Sequence, residues 1–221
     1  MVTFMNTIVF FDLDYTLLDT SSGLVYIKEA IKKRRISPWM VAHIGLLHRL
    51  KLLDFGQSHA RLITQVAREG YTEGTKFFEE WIPRALIPRL TVKGRAKINW
   101  HLEQGHRVVI NSASIEEIVR PVADHLGLQQ DYLCTRLAVH NDRYTGQLSG
   151  PLCYGPGKVM WAKKWAADNG LDLSSLAMYV YTDSSSDLPL LELATQPVAV
   201  NPSRKLAKIA AARGWPVERF Y

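Results

Sequence analysis

The chain has 221 residues, of which 47% are apolar and 22% charged, and its formal net charge is +6 with a pI near 9.3. This length predicts one domain, or one domain with a small insertion, and the composition is ordinary for a soluble globular protein. Two cysteines, Cys134 and Cys153, exclude a disulfide framework and fit a reducing compartment. Because Met1 to Asp12 also lacks a signal-peptide pattern, we expect a cytoplasmic protein.

The positive charge of the chain suits three kinds of partner, namely nucleic acid, an anionic membrane surface or small anionic substrates. The one dense basic run is Lys32-Lys33-Arg34-Arg35, which is short for a nucleic-acid patch. We interpret this run as the solvated end of a helix, and the sequence therefore predicts no nucleic-acid partner.

Short apolar runs along the chain predict the strands of a parallel sheet, and helical patterns lie between them. The predicted strands are Thr7 to Phe11, Arg107 to Asn111, Ala177 to Tyr181 and Pro197 to Val200. The later helices are predicted at Ile115 to Leu126 (with Ser114 as its N-cap), Lys158 to Asn169, Leu188 to Ala194 and Arg204 to Arg213. This alternation predicts an α/β fold with a Rossmann-like parallel sheet flanked by helices.

Residues 21–90 interrupt the alternation with patterns that are almost wholly helical. Ser37-Pro38 is typical of a helix start, because proline suits the first helical position. We predict an inserted helical cap domain at 21–90 and an α/β catalytic core formed by 1–20 and 91–221. Farther along, Leu133 to Val139 and Arg143 to Leu148 flank Asn141-Asp142 and predict a β-hairpin.

Polar clusters follow the first three predicted strands, at the strand ends where ligands of parallel sheets bind. These clusters are Asp12 to Asp14, Ser112 to Ser114 and Asp183 to Asp187. Asp12 and Asp14 are two residues apart and would repel each other unless a cation such as Mg²⁺ lay between them. A carboxylate can also act as a nucleophile toward phosphorus, although the same pattern alone suits a strand followed by a turn.

The segment Phe11 to Asp19, which reads FDLDYTLLD, resembles the first motif of the haloacid dehalogenase superfamily. The other motifs follow in order, with Ser112 after the second strand, Lys158 at the start of a late helix and Asp183 to Asp187 after the third strand. Taken alone, Ser112 would also suit a helix cap and Lys158 a surface lysine. The four motifs together span most of the chain and make the resemblance specific.

The resemblance implies a role for each matched residue of a Mg²⁺-dependent phosphatase. Asp12 is expected to attack phosphorus, and Asp14 is expected to act as general acid and base. Ser112 and Lys158 are expected to bind the phosphoryl group of the substrate. The expected metal ligands are Asp12, the backbone carbonyl of Asp14, and Asp183, with Asp187 just outside them orienting Lys158 or a metal-bound water.

Three residues depart from the usual motifs of the superfamily. Tyr15 stands where many relatives have Gly or Asn, at a turn that needs an unusual backbone angle, and Thr182 stands where many have Gly. Ser186 replaces a common Asn and is expected to tune the site. None of the three changes removes a charge that the mechanism requires, so activity is expected to be retained.

The insertion at 21–90 resembles the cap of the phosphoserine phosphatase-like subgroup, which implies hydrolysis of a small organic phosphate. Phosphoserine phosphatases usually place a Glu shortly after the first motif, and none occurs here until Glu29.

The segment Pro38 to Phe55 is too short and too interrupted by charge to span a bilayer, but its composition leaves peripheral contact with a membrane open. His43 and His48 are five residues apart and do not form a metal pair on one helix face. The alternatives are a lipid-phosphate phosphatase acting at a membrane surface and a non-catalytic regulatory member of the superfamily.

Overall fold

The computed structural model describes residues 7–53, 58 and 70–221. The predictions for Met1 to Asn6, and for the parts of the cap at 54–57 and 59–69, therefore lie outside the described residues. The strands are β1 Thr7–Phe11, β2 Arg107–Ile115, β3 Tyr132–Thr135, β4 Leu137–His140, β5 Arg143–Leu148, β6 Ala177–Thr182, β7 Gln196–Val200 and β8 Val217–Glu218. The helices are α1 Ser22–Lys32, α2 Pro38–Arg49, α3 Tyr71–Ala85, α4 Val92–Glu103, α5 Glu116–His125, α6 Pro156–Asp168, α7 Leu188–Leu191 and α8 Arg204–Arg213.

Six of the strands form one parallel sheet in the order β3-β2-β1-β6-β7-β8. The sheet is buried on both faces, so the central strand β1 is apolar from Ile8 to Phe11, as is usual for parallel sheets. On β1, Val9 and Phe11 pack in the layer that contains α4 and α5, while Ile8 and Phe10 pack against α6, α7 and α8. The predicted α/β fold with helices on both faces of a Rossmann-like sheet is confirmed.

The helical segment between β1 and α4 leaves and rejoins the sheet layer at one place. Leu18 and Leu90 form an isolated antiparallel bridge, and the backbone N–H of Thr91 donates to the carbonyl of Leu17 at 2.8 Å. Arg89 and Asp19 form an ion pair beside this bridge. The two connections of the helical segment are thus held side by side, and the cap at 21–90 remains a prediction.

One local prediction holds in part and another is wrong. The hairpin around Asn141-Asp142 is present, but the run Leu133 to Val139 is not one strand, because strand structure is interrupted at the exposed Arg136. Its first part is β3, which pairs with β2 in the main sheet, and only β4 pairs with β5. Ser114 does not cap α5, since its hydroxyl contacts Ser22 instead and the N-cap residue is Ile115.

None of the helices in the described ranges is long and apolar enough to cross a bilayer. Both cysteines are buried and unpaired with each other.

Candidate active site

The carboxyl ends of β1, β2 and β6 meet at a cavity of about 270 Å³. Asp12 and Asp183 directly follow β1 and β6, and Ser112 lies within β2 just after the buried residues Val108 to Ile110, near the place expected for a ligand in a parallel sheet. The cavity is lined by Asp12, Asp14, Tyr15, Ser21, Ser112, Ala113, Tyr154, Lys158, Asp183, Ser184, Ser186 and Asp187. The six residues predicted for the site therefore lie around one cavity, although they are spread over 176 positions of sequence from 12 to 187.

Lys158 bridges two buried carboxylates in the floor of this cavity. Its ammonium lies 2.7 Å from Oδ1 of Asp12 and 2.6 Å from Oδ2 of Asp187. All three side chains are buried, so the charges are poorly screened and the geometry is strongly constrained. This arrangement fixes Asp12 at the end of β1 and places a positive charge beside it.

The start of α6 sets the position of Lys158. A Cβ atom on Gly157 would lie 1.9 Å from the carbonyl oxygen of Leu152, so only glycine allows the chain to approach this closely. The side chain of Asn111, on β2, donates a hydrogen bond to the carbonyl of Lys158 at 3.2 Å. The sequence does not single out either residue, because both act on backbone groups that are distant or indistinct in the sequence pattern.

Asp187 accepts hydrogen bonds from Thr182 and Ser186, two of the residues that depart from the usual motifs of the superfamily. The hydroxyl of Thr182 donates to Oδ2 of Asp187 at 2.7 Å, and that of Ser186 donates to Oδ1 at 3.3 Å. Thr182 thus supplies a contact that glycine would lack, and Ser186 retains a hydrogen-bonding side chain. Together they fix the carboxylate that accepts from Lys158.

Asp14 lies on the turn after β1, and its carboxylate meets the N-terminus of α1. Its Oδ1 accepts from the backbone N–H of Ser22 at 3.0 Å, and its Oδ2 accepts from the hydroxyl of Ser21 at 3.1 Å. A carboxylate is favoured there, because the first N–H groups of a helix lack partners within it. Tyr15 has a φ of 54°, so the unusual backbone angle predicted for this turn is present.

Ser112 and Asp14 are joined through two further serines. The backbone N–H of Ser114 donates to Oγ of Ser112 at 3.2 Å, and the hydroxyls of Ser114 and Ser22 lie 2.6 Å apart. Ser22 is also the residue whose N–H holds Asp14, so a continuous chain of contacts connects the two sides of the cavity. The sequence carried no signal for this link, because Ser22 and Ser114 are 92 positions apart.

The site carries more negative than positive charge. Burial raises the pKa of Asp12 to about 8, with Lys158 opposing the shift and Asp187 and Asp183 adding to it. Burial and repulsion from Asp187 raise the pKa of Asp183 to about 7. Burial disfavours the charge of Lys158, but attraction to Asp12 and Asp187 outweighs it and raises the ammonium pKa.

The residues present suit a hard divalent cation. The crowded carboxylates would be relieved by added positive charge, and carboxylate and carbonyl oxygens are the ligands that Mg²⁺ prefers. Within the described ranges, no group of three or more His, Cys, Asp or Glu side chains is arranged to hold a metal ion. The predicted set of Asp12, Asp183 and the carbonyl of Asp14 has only two such side chains.

The described part of the segment 21–90 contributes only Ser21 to the lining of this cavity. Trp39 and Leu46 on α2 are exposed, and Ile44 is buried against its neighbours. His43 is also exposed, and His48 lies near the hydroxyl of Ser58, at 3.3 Å.

Comparison with known proteins places the chain in a family. The haloacid dehalogenase-like hydrolase family matches residues 9–192, which is most of the sequence. The chain belongs to this family.

Individual members and solved structures agree with this assignment. A histidinol-phosphatase of Neisseria meningitidis serogroup C (strain 8013) is 32% identical over 98% of this chain and 100% of that protein. A protein of unknown function from Bordetella pertussis Tohama I has a structure with a TM-score of 0.90, at 30% identity over 98% of this chain and 100% of that one. A phosphoserine phosphatase, solved as a phospho-aspartyl intermediate analogue, shares the fold with a TM-score of 0.66, at 19% identity over 97% of this chain and 93% of that one. The prediction that this haloacid dehalogenase-like hydrolase is a phosphatase is confirmed.

Proposed function

We propose that the protein is a cytoplasmic, Mg²⁺-dependent phosphomonoesterase that hydrolyses a small organic phosphate through an aspartyl-phosphate on Asp12. The observation that carries this proposal is the buried contact of Lys158 with both Asp12 and Asp187, beside Asp14 and Ser112 in one cavity. Buried carboxylates with shifted pKa values, grouped in a cleft, are typical of catalytic sites. The phosphatase relatives in the same family support the same reaction class.

Asp12 is the nucleophile of the proposed reaction. Its carboxylate oxygen attacks phosphorus, the aspartyl–phosphate bond forms, and the bond to the leaving oxygen breaks. Lys158 holds Asp12 in place and offsets charge that builds on the phosphoryl oxygens. Ser112 donates a hydrogen bond from its hydroxyl to the phosphoryl group. The Oγ atom accepts from the N–H of Ser114, which leaves the hydroxyl hydrogen free to donate.

Asp14 moves the protons of both steps. In its protonated form it gives its proton to the leaving oxygen in the first step, and the resulting carboxylate takes a proton from the water that hydrolyses the aspartyl-phosphate in the second. Its contacts with Ser21 and Ser22 hold the carboxyl group on the side of the turn that faces the cavity. Inorganic phosphate leaves, and Asp12 and Asp14 return to their starting states.

Asp12, Asp183 and the Asp14 carbonyl are the residues proposed to hold Mg²⁺. When bound, the cation would keep the carboxylates ionised and neutralise charge on the phosphoryl oxygens.

The test is to replace the nucleophile and to remove the metal, with p-nitrophenyl phosphate as substrate. Asp12→Asn should abolish turnover, because an amide of nearly the same shape cannot form the covalent intermediate. Asp168→Asn, on the exposed end of α6, is the matched control and should be as active as the wild type. EDTA should abolish wild-type activity and Mg²⁺ should restore it. Activity of Asp12→Asn within about tenfold of wild type would refute the mechanism, since a lost nucleophile removes many powers of ten.

A further inference from the structure

The positive charge of the chain is concentrated in one segment of the structure. Residues 30–53 hold six of the 27 Lys and Arg residues and none of the 21 Asp and Glu residues. The rest of the chain is therefore formally neutral, and the net charge of +6 belongs to this segment. The segment comprises the end of α1, the whole of α2 and the turns that follow them.

Helix α2 presents an apolar stripe to solvent as well as one to the protein. Its inner side carries the buried Ile44, with Met40 and Val41 packed against the core. On its outer side Trp39 is 84% exposed and Leu46 53%, and Leu50, the C-cap residue of α2, is 58% exposed. At about 100° per residue these three positions fall within an arc of roughly 40°. We call Trp39, Leu46 and Leu50 the α2 ridge.

Cations flank the α2 ridge at both ends. Exposed cationic side chains close to α2 in sequence are Lys32, Arg34, Arg49 and Lys51. The remaining two, Lys33 and Arg35, lie over the ring of Phe77 at 4.9 and 4.1 Å. An exposed tryptophan and leucines bordered by Lys and Arg, with no acidic residue among them, form a surface that is both apolar and positive.

We propose that the α2 ridge binds the surface of an anionic lipid bilayer. Tryptophan and leucine suit the boundary between headgroups and acyl chains, and Lys and Arg are attracted to anionic headgroups. A helix of 12 residues is too short to span the bilayer, so it would lie along the surface. A nucleic-acid partner would contact the cationic side chains but would give the three exposed apolar side chains no role. A bilayer partner gives a role to both the cationic and the apolar side chains.

The experiment is sedimentation of the whole chain with vesicles, without substrate, so that it does not depend on the enzymatic reaction. Equimolar phosphatidylglycerol and phosphatidylcholine should bind the chain, while pure phosphatidylcholine should bind it at least about tenfold more weakly. Raising NaCl from about 0.1 M to about 0.5 M should release it, because the screening length shortens. Equal binding to both vesicles, or none to either, would overturn the proposal.

Matched variants separate the α2 ridge from charge elsewhere. Trp39→Ser and the double change Arg34→Glu with Arg49→Glu should each weaken vesicle binding at least about fivefold. Val92→Ser and Arg95→Glu change exposed residues of α4 and should leave binding unchanged. If the α4 variants lose as much binding as the α2 variants, the attraction is general and the proposal is wrong. If the α2 variants lose binding to duplex DNA or an acidic protein while vesicle binding stays at the wild-type level, the partner is not a bilayer.

Discussion

Two polar clusters pack against the same central strands, and they differ in how their charge is compensated. The first is the active-site group of Asp12, Asp187 and Lys158. The second lies between α4 and the sheet, where His101 contacts His106 at 2.8 Å between Nδ1 atoms and the hydroxyl of Tyr181 at 2.9 Å from Nε2. The clusters adjoin, because the ring of Tyr181 stacks on Phe11, the residue before Asp12, with 4.4 Å between ring centres.

The second cluster is neutral and complete within the protein. Burial, with smaller effects of His106 and Lys97, lowers the pKa of His101 to about 4, so the ring is uncharged at neutral pH. Both ring nitrogens of His101 have hydrogen-bond partners. In the first cluster one ammonium faces two carboxylates, and burial raises the pKa of Asp12 although Lys158 lies beside it, so charge compensation is incomplete. The comparison suggests that a cluster completed by its own residues supports the fold, whereas one left short of positive charge is suited to bind a ligand.

The largest expected effect tests the active-site cluster through Asp14. Asp14→Asn should slow turnover by roughly 10²–10⁴, the usual contribution of general acid and base catalysis. With p-nitrophenyl phosphate, whose leaving group needs little protonation, phosphoenzyme should accumulate because its hydrolysis lacks a base. Quenched reactions analysed by mass spectrometry should show added phosphate on Asp12.

The Asn side chain is itself the structural control in this variant. Its oxygen can still accept from the N–H of Ser22, so the turn after β1 should keep its conformation. The melting temperature should therefore stay close to that of the wild type. A variant that hydrolyses the substrate at the wild-type rate would show that Asp14 has no catalytic role.

The next effect tests the neutral cluster through the pH dependence of stability. Since the pKa of His101 is lowered to about 4 in the fold, the unfolded chain binds more protons than the folded one between about pH 4 and 6.5. The stabilisation is complete above the unfolded pKa and decreases as the pH falls toward 4. The loss should reach about 3 kcal/mol in the free energy of unfolding at the acid end of this window.

Urea unfolding at pH 7 and near pH 4.5 would measure this loss. The same measurement on His101→Gln isolates the residue, because the carboxylates titrate in both proteins. His101→Gln should show a smaller decrease than the wild type, by about 2 kcal/mol or more. His125→Gln, an exposed residue at the end of α5, is the control and should behave as the wild type. Equal decreases in all three proteins would show that His101 is not held neutral by the fold.

The positions of the active-site residues could be read from the sequence because each one comes after a run of apolar strand residues or begins a helix. Parallel strands bring their carboxyl ends to one edge, so Asp12, Ser112 and Asp183 had to approach one another once the strands were recognised. The break between β3 and β4, within the run from Leu133 to Val139, could not be read from the sequence. The apolar pattern of this run suits one strand, and only the pairing of β3 with β2 separates β3 from β4.

Which side of α2 is buried is a second feature that the sequence does not predict. Periodicity gives this helix two apolar sides, one with Ile44 and one with Trp39 and Leu46, and it does not say which side is covered. The packing of Ile44, Met40 and Val41 against neighbouring elements decides this and leaves Trp39 exposed. The link from Ser22 to Ser114 is hidden for a related reason, since it depends on where α1 docks against β2.

The smallest expected effect tests that link, which connects the proposed acid and base to the phosphate-binding side of the cavity. Ser22→Ala keeps the backbone N–H that holds Asp14 but removes the hydroxyl that meets Ser114. If Ser22 positions Asp14, kcat should fall about tenfold with an alkyl phosphate and less with p-nitrophenyl phosphate, because only the alkyl leaving group depends strongly on a well-placed proton donor.

The leaving-group comparison is what separates positioning from simple destabilisation. A loss of folded protein would lower both activities by the same factor, whereas misplacement of Asp14 lowers them unequally. Because Ser22 and Ser114 share one contact, the double variant Ser22→Ala with Ser114→Ala should fall little below either single variant. Ser175→Ala, which removes an exposed hydroxyl outside the cavity, should change neither activity. Equal losses with the two substrates, or fully additive losses in the double variant, would mean that the two serines support the fold without positioning Asp14.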